Sequence, residues 1–334
     1  MIPGVALAQW LSDRGAQQTS QDKVDAAARE WSVAPLIARL DRDVVEADPR
    51  TAASLIAAAR RFLDRTEDVE AMMRDLIARS RDDAFFRPPF HPLASEVQNS
   101  LLLYHHPDLS VSLGVTGVDM LAAKRVGRSG GASINFTGFV TLLRFVKAGG
   151  ATLSFWEAPP IEDDFSESRA GSCRLVERRR IADGEDILVD GRFQSFVIDH
   201  AESDMVFLQA VARAGCAPVG TEYDSDTLRF IGASSTDEAS SRLEMMVSLL
   251  RALGRDDAFG LFEEALASPQ FYTRWHVMRE MLSLDAEAAL PSLRRMAAED
   301  SHPDIRAAAR RTLELFFADE ETAAADGGGI ECRA

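Results

Sequence analysis

Residues 258–284 (AFGLFEEALASPQFYTRWHVMREMLSL) and residues 290–316 (LPSLRRMAAEDSHPDIRAAARRTLELF) form an internal repeat, in which Arg274 aligns with Arg306. In both copies a helical pattern of apolar residues is interrupted by a short turn that contains proline, and a second helical pattern follows. One helical hairpin cannot bury its own apolar face, so neighbouring hairpins must stack. The sequence therefore predicts two helical hairpins in tandem over residues 258–317.

The second copy places proline and arginine in a pattern that resembles a known repeat. Pro291 lies in its first helix, Pro303 lies at the turn, and the pair Ile305-Arg306 leads an alanine-rich second helix. This pattern resembles the HEAT repeat, and the resemblance implies a stacked helical surface that binds a protein partner. Two units are fewer than such arrays normally need, so another part of the chain must cap them.

Arg274 and Arg306 hold equivalent positions, each at the start of the second helix of a hairpin. A guanidinium group presents several donors in a fixed plane, so it suits carboxylates and the free carbonyl groups of helix ends. We expect both arginines to have this structural role and to join neighbouring hairpins.

The hydrophobic period divides the whole chain into zones. Residues 1–85 have the spacing of helices, whereas residues 86–233 consist of short β-branched or aromatic segments separated by Gly, Pro or Asp. Residues 234–320 return to helical spacing, with a helix from Glu238 before the two hairpins. Residues 321–334 are expected to be a disordered tail. The predicted fold class is α+β, with N-terminal helices, a central antiparallel β-barrel or sandwich, and C-terminal HEAT-like helical hairpins.

The β zone should contain about eight short strands joined by tight turns. Residues 147–150 (Lys-Ala-Gly-Gly) and the pair Asp190-Gly191 are typical of hairpin turns. The basic run 178–180 (Arg-Arg-Arg) falls between expected strands, and we interpret it as a solvated face. The strands are expected at residues 100–104, 109–115, 139–146, 151–157, 186–189, 195–199, 205–211 and 227–231.

Residues 183–196 (DGEDILVDGRFQSF) place a Gly-acidic pair, a strand, a glycine turn and another strand in succession. This stretch resembles the second half of a cupin barrel, and the resemblance covers residues 97–215. In that family the last strand begins with a metal-binding histidine, but here the matching position is Gln194 or Ser195. The strands that would carry the His-x-His pair and glutamate of the first motif contain no histidine and end at Glu157. The resemblance implies a cupin-like barrel without the usual metal triad.

Histidines in and beside the β zone supply the candidate site. Adjacent residues of a strand point to opposite faces, so only one of His105 and His106 can face a barrel interior. Together with Gln194 and His200 they are the predicted ligand-binding residues, near the mouth of an interior lined by aromatic side chains. A second interpretation is a divalent metal held by His105 or His106 with His200 and one of Glu157, Glu202 or Asp199, since two histidines and a carboxylate leave open positions for substrate and oxygen. The same residues also suit structural roles at a strand end and an edge.

Composition excludes several classes of protein. The formal charge of −16 and the pI near 4.9 argue against a phosphate-backbone binder, so no nucleic-acid partner is expected. Three separated cysteines, Cys173, Cys216 and Cys332, form no CxxC pair and indicate a reducing compartment. The N-terminus has no positively charged leader, and no run of about 18 apolar residues occurs. We therefore expect a cytoplasmic protein that does not bind membranes.

Two functional hypotheses from different classes follow. In the first, the chain is a non-catalytic binding or regulatory protein: its β zone forms a small-ligand pocket or a homodimer surface, its hairpins dock a protein partner, and no cofactor is required. The alternative is a cupin-type metal-dependent enzyme, oxygenase-like, with an atypical site around His105 or His106 and His200. The absence of the family's histidines favours the first hypothesis, and no G-x-S-x-G elbow supports a serine nucleophile.

Overall fold

The computed structural model forms two compact units. The first, the sheet unit, comprises Met1–Ile161 and Gly171–Gly232, and the second, the helical unit, comprises Glu162–Ala170 and Ala233–Ala334. The expected zones 1–85 and 86–233 thus fall largely in one unit, and the expected tail 321–334 and Cys332 lie outside the described residues. The structure describes residues 4–31, 33–95, 98–121, 133–162 and 165–317.

Five helices open the sheet unit. The fourth begins at a reciprocal cap: the Thr51 side chain accepts the Ser54 backbone N–H at 3.2 Å, and the Ser54 hydroxyl accepts the Thr51 N–H at 3.0 Å. Its apolar side chains then recur every three to four residues and are buried on one side. The helices are α1 (Gly4–Ser12), α2 (Arg14–Glu30), α3 (Ala34–Val45), α4 (Ala52–Leu63) and α5 (Thr66–Asp82).

The strands form three sheets, with orders β1-β2-β3-β10-β5-β8, β12-β11-β4 and β7-β6-β9. Neighbouring strands of the six-stranded sheet run antiparallel. The strands are β1 (His91–Ala94), β2 (Gln98–His106), β3 (Leu109–Thr116), β4 (Ser133–Phe136), β5 (Val140–Lys147), β6 (Thr152–Glu157), β7 (Arg174–Arg180), β8 (Asp186–Asp190), β9 (Gln194–His200), β10 (Met205–Ala212), β11 (Val219–Asp224) and β12 (Phe230–Ser235).

The six-stranded sheet buries both faces, but against different partners. On one face, Leu142 of β5 and Leu208 of β10 join a core that also contains Leu55 and Phe62 of α4 and Met72 of α5. Because this core is continuous between helices and sheet, the N-terminal helices belong to the same unit as the strands. The expected architecture of helices before and after antiparallel sheets is confirmed.

On the opposite face, Phe145 of β5 and Phe207 of β10 pack with their ring centroids 5.8 Å apart. They share a second core with Leu153 of β6 and Ile187 of β8. This core lies between the six-stranded sheet and the β7-β6-β9 sheet, and it fills the space there with apolar side chains.

The prediction of two hairpin turns within one sheet is wrong. Residues 147–150 connect β5 to β6, but these strands lie in different sheets, and Asp190-Gly191 likewise leads from β8 to β9 in another sheet. Gly149 and Gly150 adopt φ of 60° and 67°, the left-handed region that glycine enters without steric cost. Glycine turns of this kind reverse the chain equally well within a sheet and between sheets, so the residues alone did not distinguish the two.

The basic run 178–180 lies within β7, not between strands. The missed strand is exposed along almost its whole length, so it lacks the apolar alternation that marks a half-buried strand. Arg178 pairs with Asp199 at 2.8 Å, Arg179 with Glu185, and Arg180 with Glu202 at 3.0 Å. The run is thus a charge-paired outer surface.

The helical unit contains α6 (Glu238–Ala252), α7 (Phe259–Ala265), α8 (Phe271–Leu284), α9 (Ala286–Glu299) and α10 (Pro303–Phe316). The expected helix at Glu238 and the two expected hairpins are present, and α6 packs against α8. Val247, Phe262, Met278 and Leu293 lie in one common core. Across the described residues, we find no helix with the length and apolar character that a membrane span needs.

Candidate ligand-binding face of the sheet unit

Part of the six-stranded sheet carries hydroxyl and amide groups where the rest carries apolar side chains. On the face turned away from the N-terminal helices, Ser112 of β3 stands opposite Gln209 of β10, and Ser110 stands opposite Val211. Ser100 of β2 belongs to the same face, and Ser100 and Ser110 are each 9% exposed. We call Ser100, Ser110, Ser112 and Gln209 the polar face. Hydroxyl and amide groups held this way can orient a small ligand by hydrogen bonds.

Arg213 ends the polar face. It follows β10 directly, and its Nη1 donates to the Ser110 hydroxyl at 3.2 Å. Its guanidinium carbon lies 5.7 Å from the centre of the Phe139 ring, and its backbone N–H donates to the Asp108 carbonyl at 2.8 Å. The side chain is therefore held in place from two sides, by Ser110 and by Phe139.

The charge of Arg213 has no carboxylate partner among the described residues, although the residue is half-buried. Buried or half-buried charges are usually paired, because partial desolvation disfavours the ionised form. A guanidinium fixed by a hydroxyl and a ring, with donors left over, presents a ready site for a carboxylate. This arrangement is the strongest feature of the sheet unit for binding a ligand.

His105 lies on the same face of the sheet as Ser110, because the two are directly opposite in the β2–β3 ladder. The structure thus brings it next to the residue that anchors Arg213, although its own side chain is exposed. His106 points the other way, opposite Leu109. Its Nδ1 accepts the Asp108 backbone N–H at 3.1 Å, which makes it part of the β2–β3 turn.

Gln194 and Glu157 meet at one end of the β6–β9 pair, directly opposite each other. They line a cavity of about 260 Å³ that also includes Glu177 and Arg179. Both side chains have partners there: the Gln194 Oε1 accepts the Asp190 N–H at 3.2 Å, and Glu157 pairs with Arg174. His200 stands exposed at the other end of β9, opposite Thr152.

The residues proposed for a metal do not come together. His105 and His106 are in β2 of the six-stranded sheet, whereas Glu157 and His200 are at opposite ends of the β6–β9 pair. Within the described ranges, no cluster of three His, Cys, Asp or Glu side chains suits a metal ion. The described side chains therefore do not fit the two-histidine, one-carboxylate set.

Two further groups with reactive side chains have structural roles. In the helical unit, the His276 Nε2 lies 2.8 Å from the Ser248 hydroxyl, and that hydroxyl also donates to Glu280 at 2.9 Å. The carboxylate contacts the serine rather than orienting the far nitrogen of the imidazole, so the geometry is not that of a catalytic triad. Burial raises the pKa of the Cys173 thiol and opposes formation of the thiolate.

His302 is buried although it precedes Pro303 in the turn between two helices. It is 6% exposed, its ring stacks on Phe271 with centroids 4.0 Å apart, and its Nδ1 accepts the Asp304 N–H at 3.3 Å. It therefore caps α10 through a local contact, whereas its burial depends on Phe271 of the neighbouring hairpin, which the local sequence does not reveal.

Arg213 was missed in the sequence because nothing near it marks a site. One available signal was an arginine directly after an apolar strand, followed by a glycine turn at Gly215. That signal is common at strand ends. The contact with Ser110 depends on pairing across 103 positions of sequence, which local patterns do not show.

No family profile matches the sequence, and no curated protein matches it. Similar solved structures include a cupin domain from Bordetella pertussis Tohama I, with 12% identity, coverage of 38% of this chain and 97% of that chain, and a TM-score of 0.21. Ectoine synthase from P. lautus has 12% identity, coverage of 37% and 69%, and a TM-score of 0.22. The capsular polysaccharide assembling protein CapF from Staphylococcus aureus has 10% identity, coverage of 44% and 32%, and a TM-score of 0.25. TM-scores this low define neither a site nor an activity.

Proposed function

We propose that this chain is a non-catalytic binding protein that combines a cupin-like sheet unit, which holds a small carboxylate ligand, with HEAT-like hairpins that dock a protein partner. The observation that carries the proposal is the half-buried Arg213, which has a hydroxyl and an aromatic ring as neighbours but no carboxylate among the described residues. A bound carboxylate supplies the missing charge. Ser112 and Gln209 then offer hydrogen bonds to the rest of the ligand.

A carboxylate suits this site better than a metal or a nucleophilic reaction does. The planar guanidinium can form two parallel hydrogen bonds with a carboxylate, and each charge-assisted bond is stronger than a neutral one. The neighbouring groups of the polar face are neutral hydroxyls and an amide, so they do not repel an anion. The proposed chemistry is recognition, since the polar face itself contains no base or carboxylate to activate a nucleophile, and the His105 side chain beside Ser110 is exposed.

Isothermal titration calorimetry of the full chain tests the proposal with acetate, succinate and benzoate, each compared with its uncharged amide. We expect saturable binding of at least one carboxylate and loss of about tenfold or more in affinity for its amide and for Arg213→Gln. Arg229→Gln, a change at an exposed arginine of the same unit, is the matched control and should leave the affinity unchanged. Equal binding of acid and amide, or normal binding by Arg213→Gln, would contradict the proposed ligand class.

Metal analysis distinguishes the enzymatic alternative. Protein purified without a histidine tag should contain no stoichiometric iron, manganese, nickel or zinc. A stoichiometric metal that disappears in His200→Ala, together with an oxygen-consuming activity, would overturn the non-catalytic assignment.

A further inference from the structure

Arg274 and Arg306 hold equivalent positions in the two hairpins, and their Nη1 atoms make equivalent hydrogen bonds. The Arg274 Nη1 donates to the carbonyl oxygens of Ser268 and Pro269, at 3.1 and 3.0 Å. The Arg306 Nη1 donates to the carbonyl oxygens of Asp300 and Ser301, which stand six and five residues before it, as Ser268 and Pro269 stand before Arg274. Each arginine therefore closes the turn of its own hairpin.

The other edge of the guanidinium differs between the two copies. The Arg274 Nε and Nη2 hold the two carboxylate oxygens of Asp300, at 2.8 and 2.7 Å, and Nη2 also donates to the Ser301 hydroxyl at 3.1 Å. Asp300 lies in the turn of the following hairpin. For Arg306 no following hairpin exists among the residues that the structure describes, and its Nε and Nη2 have no acceptor among them.

The outer face of α10 is polar where the corresponding face of α8 is apolar. Met278, four residues after Arg274, is fully buried, but its equivalent Arg310, four residues after Arg306, is exposed. Half-buried Leu282 likewise corresponds to exposed Glu314. At these two positions α10 has the polar character that terminal repeats show toward solvent, although Leu315 and Phe316 of the same helix are also exposed.

These observations point to a charged docking surface, not to a third hairpin. We infer that the Nε–Nη2 edge of Arg306 binds a carboxylate of an acidic segment from a protein partner, in the way that Arg274 binds Asp300. Arg310 and Arg311 lie within the next turns of the same helix, and with Arg306 they outnumber its two exposed acidic residues, Asp304 and Glu314. Arg310 also donates from Nε to the Ala297 carbonyl at 3.1 Å. A basic surface on a chain with a formal charge of −16 selects an acidic partner by charge complementarity. This inference specifies the docking half of the proposed function and is independent of the Arg213 ligand.

The Asp300 turn itself supplies a probe. A blocked peptide of residues 297–304 (AAEDSHPD) carries the same carboxylate in the same local sequence. It is titrated into full-length protein with ¹⁵N-labelled arginine, and the Nε–Hε signal of Arg306 is assigned from its loss in Arg306→Lys. We expect a saturable shift of that signal. The peptide with Asp300→Asn keeps its other two acidic residues and should bind about tenfold more weakly.

The outcomes of this titration and of further measurements decide which molecule binds the Nε–Nη2 edge of Arg306. No shift at Arg306, or equal shifts with both peptides, would overturn the inference. A variant in which the five acidic residues of 318–334 are made neutral is measured without peptide. A change of its Arg306 signal would also overturn the inference, because residues 318–334 of the chain itself would then occupy the site. A signal that depends on protein concentration would assign the site to a second copy instead. Failure of this inference can be distinguished from failure of the proposed carboxylate site, because Arg306→Lys should not change the calorimetric titrations that test Arg213.

Discussion

Arg274 and Asp300 form a two-point ion pair that joins the two helical hairpins, with Nη2–Oδ1 and Nε–Oδ2 distances of 2.7 and 2.8 Å. Only 12% of the arginine side chain and 4% of the aspartate side chain are exposed. The arginine thus connects its own turn to the turn of the next hairpin. The expectation that Arg274 bridges to a carboxylate of the neighbouring hairpin is confirmed. Arg306, for which the same role was expected, contacts the turn of its own hairpin instead.

Removing one member of this pair should destabilise the helical unit strongly. In Arg274→Ala the carboxylate of Asp300 stays buried without its partner, and the loss of unfolding free energy should be about 3 to 5 kcal/mol. Chemical denaturation followed by circular dichroism measures the change. Arg311→Ala, at an exposed position of α10, serves as the control and should change stability by less than about 0.5 kcal/mol. A loss in Arg274→Ala as small as in the control would show that the pair contributes little.

The same ion pair should make the stability of the helical unit depend on pH. Burial raises the pKa of Asp300, but hydrogen bonds from Arg274 and from the His302 N–H, with the charge of Arg274, outweigh it and leave the pKa lowered. When the pKa of a carboxyl group is lower in the folded chain than in the unfolded chain, its charge stabilises the fold. This stabilisation is fully present above the unfolded pKa of about 3.9 and is lost as the pH falls through the pKa of the folded state. We expect unfolding free energy to decline below about pH 4. Asp300→Asn should have a shallower decline, and an identical slope would contradict this assignment.

Arg144 should be needed to hold α4 on the sheet. Its Nη2 donates to Asp64 of the α4 end at 2.6 Å and to Asp186 of β8 at 3.0 Å, and its side chain is 18% exposed. Hydrogen bonds with these carboxylates raise the pKa of Arg144, so it stays charged. Arg144→Gln should lower the unfolding free energy of the sheet unit by about 1.5 to 3 kcal/mol. Denaturation of this variant beside Arg229→Gln tests the prediction, and equal midpoints would refute it.

Gly114 should not tolerate a side chain, because a Cβ there would lie 2.7 Å from a ring carbon of Phe207. Phe207 packs in the second core, so the ring cannot move away freely. Gly114→Ala should destabilise the sheet unit by about 1 to 3 kcal/mol. Gly232→Ala is the matched control, since a Cβ at that position would meet nothing within 4 Å. Similar melting temperatures for the two variants would show that the sheet adjusts around Phe207.

Cys173 should react slowly with thiol reagents. It is 3% exposed, and burial raises its pKa, so the thiolate is rare and shielded. Cys216 is half-buried and should react faster. Mass-spectrometric mapping after a timed pulse of iodoacetamide measures both rates on the native protein. Faster labelling of Cys173 would indicate that its surroundings open in solution.

Local patterns identified the elements better than their connections. The helices around the repeat and strands such as β3 and β10 were predictable, because their apolar spacing follows from burial on one side of a helix or a sheet. The connections after β5 and β8 were misjudged as hairpins, since a glycine turn does not reveal which sheet receives the next strand. Of the residues predicted for a ligand site, His105 lies beside the polar face, whereas Arg213 was not predicted.

The sequence by itself determined the α+β class and the two tandem hairpins, because each of these follows from contacts between residues that are near in the chain. Tertiary structure decided the rest. It joined the N-terminal helices to the sheet through one core, separated His200 from His105, and placed Arg213 against Ser110. It also left Arg306 without the carboxylate that Arg274 has among the described residues. Charge pairing and burial at these places depend on residues far apart in sequence, and only the folded chain brings them into contact.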